Sequence, residues 1–329
     1  MTELEAWVRS GGEPLVMPTS GSTGAPKSAV LSHRAVLTSA RASLDRLGGP
    51  GQWLLALPVS GIGGLQVLVR SILAGREPVV LADHDDLAAA LAEFEAERRY
   101  ASIVPTQLYR WAEQGELAAL ARFHAVLVGG AAADPELVTR ARQEGVNIVR
   151  TYGMTETCGG CVYDGVPLDG VEVRVDDAGQ VWLRGPVLFD GYVGQPHPAG
   201  SWFATSDRGE ILPDGRLRVS GRIDDVVVSG GVNVPVSAVE GAIRGMPGVG
   251  DLAIVGVEDA EWGQRVVAAV VPTDGAHLTL ADVRDWVEAA GLPRTWAPRQ
   301  LLLVDELPLG ATGKVDRVRL LGLARDPRV

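Results

Sequence analysis

Short apolar runs alternate with longer amphipathic stretches over the first half of the chain. Runs with the length of buried strands occur at 53–58, 78–82, 102–104, 125–128 and 147–149. Between them, the segments 65–73, 86–94 and 134–145 have the apolar spacing of packed helices. Asp134 followed by Pro135 is a typical helix start. This repeated strand–helix–strand order predicts a parallel α/β sheet, whose ligands bind beyond the C-terminal ends of the strands.

The pattern changes from about Val171. Apolar and polar residues alternate at 171–175, 181–184 and 217–220, as in half-exposed antiparallel strands. Helical segments at 237–244 and 280–290 and strands at 252–257 and 266–271 then predict a small α+β domain. We therefore expect an α/β protein with an N-terminal domain at 1–223, mostly parallel in its sheets with an antiparallel subdomain, and a C-terminal domain at 224–329.

Composition narrows the class of protein. The chain has 329 residues, 46% of them hydrophobic and 22% charged, as in an ordinary soluble protein of two domains. Its net charge of −11 gives no reason to expect a nucleic-acid partner. Without an apolar leader or a membrane-length apolar run, we predict a cytoplasmic protein with no membrane insertion. Cys158 and Cys161 lack a second cysteine pair, which favours two reduced thiols over a metal site.

A loop rich in glycine and hydroxyl groups is the most informative stretch. Free backbone N–H groups, hydroxyls and one ammonium suit a phosphate chain, and glycines let the ligand approach closely. Pro26 stands where a Walker loop has glycine and removes an N–H donor, which opposes a P-loop phosphotransferase. A surface turn without a ligand is the other interpretation. The loop residues are Thr19, Ser20, Gly21, Ser22, Thr23, Gly24, Ala25, Pro26 and Lys27.

Six motifs in one order carry a family resemblance. They are the loop at 19–27, Gly129-Gly130-Ala131, the run 152–156, Thr205-Ser206-Asp207, the run 221–225 and Gly313-Lys314. Together they resemble the adenylate-forming superfamily of acyl-CoA ligases and luciferases over nearly the whole chain. Residues 152–170 are similar to the o-succinylbenzoate-CoA ligase family of menaquinone biosynthesis, in the short form found in actinobacteria. The alternatives are a ligase for another aromatic or aliphatic acid and a non-catalytic nucleotide-binding relative.

The resemblance implies a two-step reaction that uses ATP, Mg²⁺ and CoA. A carboxylate attacks the α-phosphate of ATP to give an acyl-adenylate and pyrophosphate, and the CoA thiol then displaces AMP. By the same resemblance, residues 19–24 and Lys27 bind the β- and γ-phosphates. Thr155 would donate to the α-phosphate, and Glu156 would bind Mg²⁺. Tyr152 would offer its ring face to adenine beside Gly129, Gly130 and Ala131, with packing in the core as the alternative for this ring.

The C-terminal residues take their roles from the same resemblance. Lys314 would bridge the carboxylate and the α-phosphate and counter the charge of the transition state. This remote lysine implies a mobile C-terminal domain that turns about Asp224. Asp207 and Arg222 would bind the ribose hydroxyls, with a surface salt bridge as the alternative. The pantetheine arm of CoA would meet Ser229, Gly230 and Gly231.

The acyl site departs from the superfamily pattern. Gly61 stands at the position of the usual histidine, and Gly64 belongs to the same loop. Arg70 follows in an apolar segment, where a guanidinium is costly to bury unless it is paired or reaches solvent. The resemblance implies that Arg70 binds the second, unreacted carboxylate of o-succinylbenzoate. Since only eighteen residues precede Thr19, we expect a shortened N-terminal domain, with homodimer contacts in place of the missing part.

We expect Lys314→Ala to slow adenylate formation by about 100-fold or more, because the substitution removes a charge that acts only in the transition state. Thioester formation from a supplied acyl-adenylate should proceed at nearly the wild-type rate. Single-turnover assays of the two half-reactions measure this division, and an equal loss in both would contradict it.

Overall fold

The computed structural model of the chain describes residues 2–19, 27–223, 225–310 and 315–325. Its helices are α1 Thr2–Ser10, α2 His33–Arg46, α3 Ile62–Ala74, α4 Leu87–Ala92, α5 Pro105–Glu113, α6 Leu117–Leu120, α7 Pro135–Gln143, α8 Val236–Arg244, α9 Leu280–Ala289 and α10 Arg317–Arg325. Short 3₁₀ turns cover Leu81–Asp83, Thr155–Thr157 and Arg294–Trp296.

The strands follow the order that the apolar runs predict. They are β1 Leu15–Thr19, β2 Lys27–Leu31, β3 Gln52–Leu55, β4 Val79–Val80, β5 Arg99–Ile103, β6 Ala125–Val128, β7 Ile148–Met154, β8 Gly159–Tyr163, β9 Val166–Pro167, β10 Glu172–Val175, β11 Gln180–Arg184, β12 Gly191–Tyr192, β13 Gln195–Pro196, β14 Phe203–Ile211, β15 Leu217–Arg222, β16 Val226–Ser229, β17 Val232–Pro235, β18 Val249–Asp259, β19 Gly263–Pro272 and β20 Gln300–Leu303.

A seven-stranded sheet in the order β4-β3-β5-β6-β7-β8-β9 confirms the predicted α/β class. Its strands β4, β3, β5, β6 and β7 run parallel, and β8 and β9 continue it antiparallel. One hydrophobic core packs α4 to α7 against this sheet, around Leu54, Ile103 and Val126. A second core packs α1, α2 and α3 against β1 and β2, around Leu31 and Val69. Because α2 and α3 pack in the same core, their ends are held in place, and so are the starting points of the loops that follow them.

Helix α4 is shorter than its apolar pattern predicts. Its start is as expected, since the Asp86 carboxylate accepts a hydrogen bond from the backbone N–H of Ala89 at 2.7 Å. It ends at residue 92 rather than 94. The cause lies in β3, where the side-chain oxygen of Gln52 accepts from the backbone N–H groups of Glu95 and Ala96 at 3.0 and 3.1 Å. A tertiary contact therefore ends the helix two residues earlier than the apolar pattern predicts.

Antiparallel strands follow where the alternating pattern predicts them. One sheet has the order β1-β2-β12-β13, and another has the order β10-β11-β14-β15. Within the second sheet, Val175 lies opposite Val181, and Glu172 lies opposite Arg184. The antiparallel subdomain that we expected is therefore confirmed.

The chain divides into two compact units. One comprises residues 1–205 and 210–218, and the other comprises 206–209 and 219–329, so the division passes through the hairpin of β14 and β15. The second unit has a sheet in the order β17-β16-β19-β18, with β20 parallel to β19. Helices α8 and α9 cover one face around Val266 and Ile254, and α10 covers the other around Val267 and Leu302. Among the described residues, no helix is both long enough and apolar enough to cross a membrane.

Candidate active site

The phosphate-loop candidate lies between two paired strands. β1 and β2 pair antiparallel as far as Thr19 opposite Lys27, and the Thr19 hydroxyl donates to the Lys27 carbonyl at 3.2 Å. Lys27 therefore begins a strand, whereas the lysine of a Walker loop begins a helix. This excludes the P-loop phosphotransferase. The other predicted phosphate ligands lie outside the described residues; they are Ser20, Gly21, Ser22, Thr23 and Gly24.

The predicted adenine residues lie on neighbouring strands. Gly129 follows β6 directly beside β7, and a Cβ atom at this position would lie 2.3 Å from the Thr151 hydroxyl oxygen. Only glycine lets the two strands approach so closely. Gly130 and Ala131 are exposed beyond the strand, and Tyr152 is half-buried on β7. The C-terminal edge of the parallel strands thus brings the two predicted loops together.

The turn after β7 holds the predicted catalytic residues Thr155 and Glu156. The Thr157 hydroxyl accepts from the Met154 N–H at 2.9 Å and contacts the Gly159 carbonyl at 2.6 Å. Cys158 then adopts a left-handed conformation, with φ of 51°. Its carbonyl accepts from the Ser39 hydroxyl of α2 at 2.9 Å and from the Gln66 amide of α3 at 2.8 Å. These bonds fix the turn to both helices. The two donors, Ser39 and Gln66, belong to none of the predicted motifs.

Glu156 is buried, with 8% of its surface exposed. The phenol of Tyr192 donates to Glu156 Oε1 at 2.8 Å, and Lys27 Nζ lies 5.0 Å from the centre of the Tyr192 ring. Tyr192 was missed because 36 residues separate it from Glu156. Glu156 is therefore not a solvated surface carboxylate. A buried carboxylate beside a threonine hydroxyl is a hard-oxygen donor set, of the kind that Mg²⁺ combines with substrate phosphates.

The predicted acyl-site residues lie along helix α3. Gly61 is its N-cap, and a Cβ atom on Gly64 would lie 2.3 Å from the Pro58 carbonyl. Arg70 is 4% exposed, with its guanidinium carbon 4.4 Å from the centre of the Trp53 ring. Within the described residues, its Nε and Nη1 atoms have no hydrogen-bond partner. Burial lowers the pKa of the Arg70 guanidinium, with Tyr163 the main opposing group. Arg70 does not reach solvent.

The second compact unit holds the remaining predicted residues. Asp207 is buried, and its carboxylate lies 4.0 Å from Arg222 Nη1. Ser229 is also buried, and its hydroxyl accepts from Arg299 Nε at 3.1 Å. Arg299 stacks on Trp262, with 3.3 Å between the guanidinium carbon and the ring centre.

A tight turn follows Ser229. Gly230 and Gly231 close the β16–β17 hairpin with φ of 60° and 76°, values that favour glycine. The predicted hinge Asp224 and catalytic Lys314 lie outside the described residues. Their neighbours are described: Asp225 forms a two-point ion pair with Arg317 at 2.5 and 3.0 Å.

Lysine usage marks the same two lysine positions that the motifs predict. The chain has two lysines, Lys27 and Lys314, and its other 28 basic residues are arginines. Both lysines lie in the motifs predicted to bind phosphate. A compact ammonium with three rotatable donors differs from a planar guanidinium fork, so such positions resist replacement by arginine. Residue usage is thus independent support for these two sites.

Comparisons with known proteins agree on one family for this chain. The sequence profile of the AMP-binding enzyme family matches residues 13–193, and that of the AMP-binding enzyme C-terminal domain matches residues 238–314. A Mycobacterium tuberculosis protein named probable 2-succinylbenzoate–CoA ligase is 45% identical over 320 residues. The alignment covers 93% of this chain and 83% of that relative.

Solved structures agree in fold. The o-succinylbenzoate CoA synthetase (MenE) of Bacillus subtilis, in complex with the acyl-adenylate intermediate OSB-AMP, matches with a TM-score of 0.79 and 27% identity. The match covers 95% of this chain and 69% of that one. An arginine-to-lysine variant of Escherichia coli MenE with bound OSB-AMS matches with a TM-score of 0.79 and 33% identity, over 94% of this chain and 68% of that one.

The two buried thiols predict an alkaline loss of stability. Cys158 and Cys161 are free and buried, as expected for reduced thiols. Burial raises the pKa of Cys158 and raises that of Cys161 to about 12. A thiol in the unfolded chain titrates near pH ~8.5, so stability is complete below that pH and is lost as the pH rises toward 12.

We expect each thiol to contribute a loss of about 1.4 kcal/mol per pH unit across that interval. Urea unfolding at pH 8, 9 and 10, with a Cys158→Ala/Cys161→Ala variant as control, measures the effect. The variant should lose less stability with rising pH than the wild type. Parallel losses in the two proteins would contradict the assignment.

Proposed function

The chain belongs to the AMP-binding enzyme family, and on that premise we propose that it is an ATP-dependent ligase that joins 2-succinylbenzoate to CoA. A carboxylate oxygen of the acid attacks the α-phosphorus of ATP, and the bond to the leaving pyrophosphate breaks. The CoA thiol then attacks the acyl carbon of the adenylate, its proton is lost, and AMP leaves. The identity to 2-succinylbenzoate–CoA ligases over most of the chain supports this reaction.

We assign the first step to residues around the β1–β2 hairpin and the turn after β7. The loop 19–24 with Lys27 binds the β- and γ-phosphates, and Thr155 donates to the α-phosphate. Glu156 holds Mg²⁺, which supplies positive charge that neutralises the phosphates. One buried carboxylate suffices for this ion, because Mg²⁺ keeps waters and substrate phosphates among its ligands. Among the described residues, no cluster of three or more metal-binding side chains offers an all-protein site.

The remaining assignments concern the nucleoside and the thiol. Tyr152 and the segment 129–131 receive adenine, and Asp207 with Arg222 receives the ribose. Lys314 acts in adenylate formation, and rotation at Asp224 exchanges it for the hairpin that carries Ser229, Gly230 and Gly231, which receives CoA. We also propose a cytoplasmic location, which two free thiols support.

The burial of Arg70 is the observation that supports 2-succinylbenzoate as the acid. A buried guanidinium whose Nε and Nη1 atoms have no hydrogen-bond partner among the described residues needs an anion, since an isolated buried charge is costly. The described residues provide no carboxylate for it. 2-Succinylbenzoate has a second carboxylate that does not react, and a guanidinium holds a carboxylate by two parallel hydrogen bonds. A monocarboxylic acid would leave this charge without an anionic partner.

The activity itself is tested by acid-dependent ATP–pyrophosphate exchange. We expect exchange with 2-succinylbenzoate, followed by CoA-dependent release of AMP, and weak exchange with benzoate, indoleacetate or octanoate. Stronger exchange with another acid would replace the substrate. The absence of exchange with every acid, in protein that binds ATP, would identify a non-catalytic relative.

Arg70→Ala should raise the KM for 2-succinylbenzoate about 30-fold, because truncating one partner of a buried charge pair costs about 2 kcal/mol or more. ATP affinity should change little, and Arg70→Lys should recover only part of the loss, since the fork geometry is gone. Arg76→Ala, an exposed arginine just past the same helix, is the matched control.

The role of Arg70 is decided by comparing the effect of Arg70→Ala on 2-succinylbenzoate and on 4-phenyl-4-oxobutanoate, which lacks the ring carboxylate. The Arg70→Ala penalty should nearly vanish on this analogue. A penalty as large as that on 2-succinylbenzoate would show that Arg70 supports the pocket without binding the second carboxylate.

A further inference from the structure

Tyr192 lies between the two opposite charges of the proposed phosphate site. Its phenol donates to Glu156 Oε1 at 2.8 Å, and the Lys27 ammonium lies 5.0 Å from the centre of its ring. Lys27 and Glu156 form no ion pair in the described part of the chain, although both contact the same side chain. The aromatic ring attracts the ammonium through its face, and the phenol O–H binds the carboxylate at its edge.

The backbone around Tyr192 is fixed at both ends. The Phe189 N–H donates to the Glu156 carbonyl at 2.9 Å, which joins this segment to the turn after β7. On the other side, the Val193 N–H donates to the Ser28 carbonyl at 3.0 Å, next to Lys27. The short strand β12 also pairs with β2. The segment therefore connects the strand that begins at Lys27 to the turn that holds Glu156.

An exposed ammonium and a buried carboxylate that contact the same side chain attract one another. If they paired directly, each would satisfy the other, and a triphosphate with its metal ion would have to break that pair. Tyr192 gives each charge a weaker, neutral partner instead. A phenol bond to one carboxylate oxygen also orients the group, which leaves the second oxygen directed to other ligands.

We propose that Tyr192 is a positioning residue that keeps Lys27 and Glu156 apart, so that the ammonium is available to phosphate and the carboxylate to Mg²⁺. This inference rests on the proposed adenylation activity and adds a residue to its machinery. The hydroxyl acts on the metal side of the site, and the ring acts on the phosphate side. The two parts of one side chain can therefore be removed separately.

Binding of ATP, measured by calorimetry with Mg²⁺ and with EDTA in place of Mg²⁺, tests both parts. Tyr192→Phe removes only the hydroxyl, so we expect MgATP to bind about tenfold more weakly and metal-free ATP to change less than about twofold. Tyr100→Phe is the matched control, because its hydroxyl donates to the Leu47 and Gly49 carbonyls and contacts neither Lys27 nor Glu156. Tyr100→Phe should keep the wild-type ratio of the two affinities. Equal weakening of both ATP forms in Tyr192→Phe, or no weakening, overturns the metal-side role.

Tyr192→Ala removes the ring and lets Lys27 pair with Glu156. We expect metal-free ATP to bind about tenfold more weakly than to the wild type. The double variant Tyr192→Ala/Glu156→Gln should recover most of that loss, since the competing carboxylate is gone. A double variant no better than Tyr192→Ala overturns the separating role.

ATP binding by the wild-type protein distinguishes failure of the proposed function from failure of the role proposed for Tyr192. Wild-type protein that binds no ATP contradicts the proposed function, and the inference falls with it. Wild-type protein that binds MgATP, alongside variants that bind it equally well, contradicts the role of Tyr192 alone.

Discussion

The carbonyl of Cys158 is the point on which the turn after β7 depends. It accepts one hydrogen bond from Ser39 on α2 and one from Gln66 on α3, and both donors are buried. A left-handed non-glycine residue costs about 1–2 kcal/mol, and each buried hydrogen bond returns about 1 kcal/mol. The strained turn is therefore stable only while both helices are in place. Their shared core thereby determines where Thr155 and Glu156 lie.

Local sequence signals predicted the elements well, because their causes are local. Asp134 was expected to begin a helix, and its carboxylate accepts from the Glu136 N–H at 2.9 Å. The apolar runs predicted the parallel strands, and the alternating segments predicted the antiparallel ones. Predicted helix ends were wrong where a residue distant in sequence made the deciding contact. Gln52, for example, accepts hydrogen bonds from the backbone N–H groups just beyond α4. Motif order predicted the family, which the comparisons confirmed.

The motifs predict a list of candidate site residues, whereas the contacts of those residues could not be predicted from the sequence. No spacing rule connects Tyr192 to Glu156, because the strands that bring them together belong to different parts of the chain. Ser229 was expected beside CoA, yet its burial and its bond to Arg299 follow from the pairing of β16 with β19. Arg70 could be suspected from its apolar neighbours, whereas only the folded chain shows that its Nε and Nη1 atoms have no hydrogen-bond partner among the described residues. The two lysines were predicted from the motifs in which they lie, and their rarity in the chain agrees with that prediction.

Helix α3 joins Gly61, at its N-cap, to Arg70 in a single rigid rod. At a rise of about 1.5 Å per residue, their backbones lie about 13 Å apart along the axis, and long helical side chains lean back toward the N-terminus. On the proposed assignment, this fixed distance separates the loop at Gly61 from the guanidinium that binds the second carboxylate. An acid too short to reach Arg70 would leave the buried guanidinium without an anionic partner. Selection by length would then follow from the charge that the wrong acid fails to neutralise, rather than from a wall that excludes it.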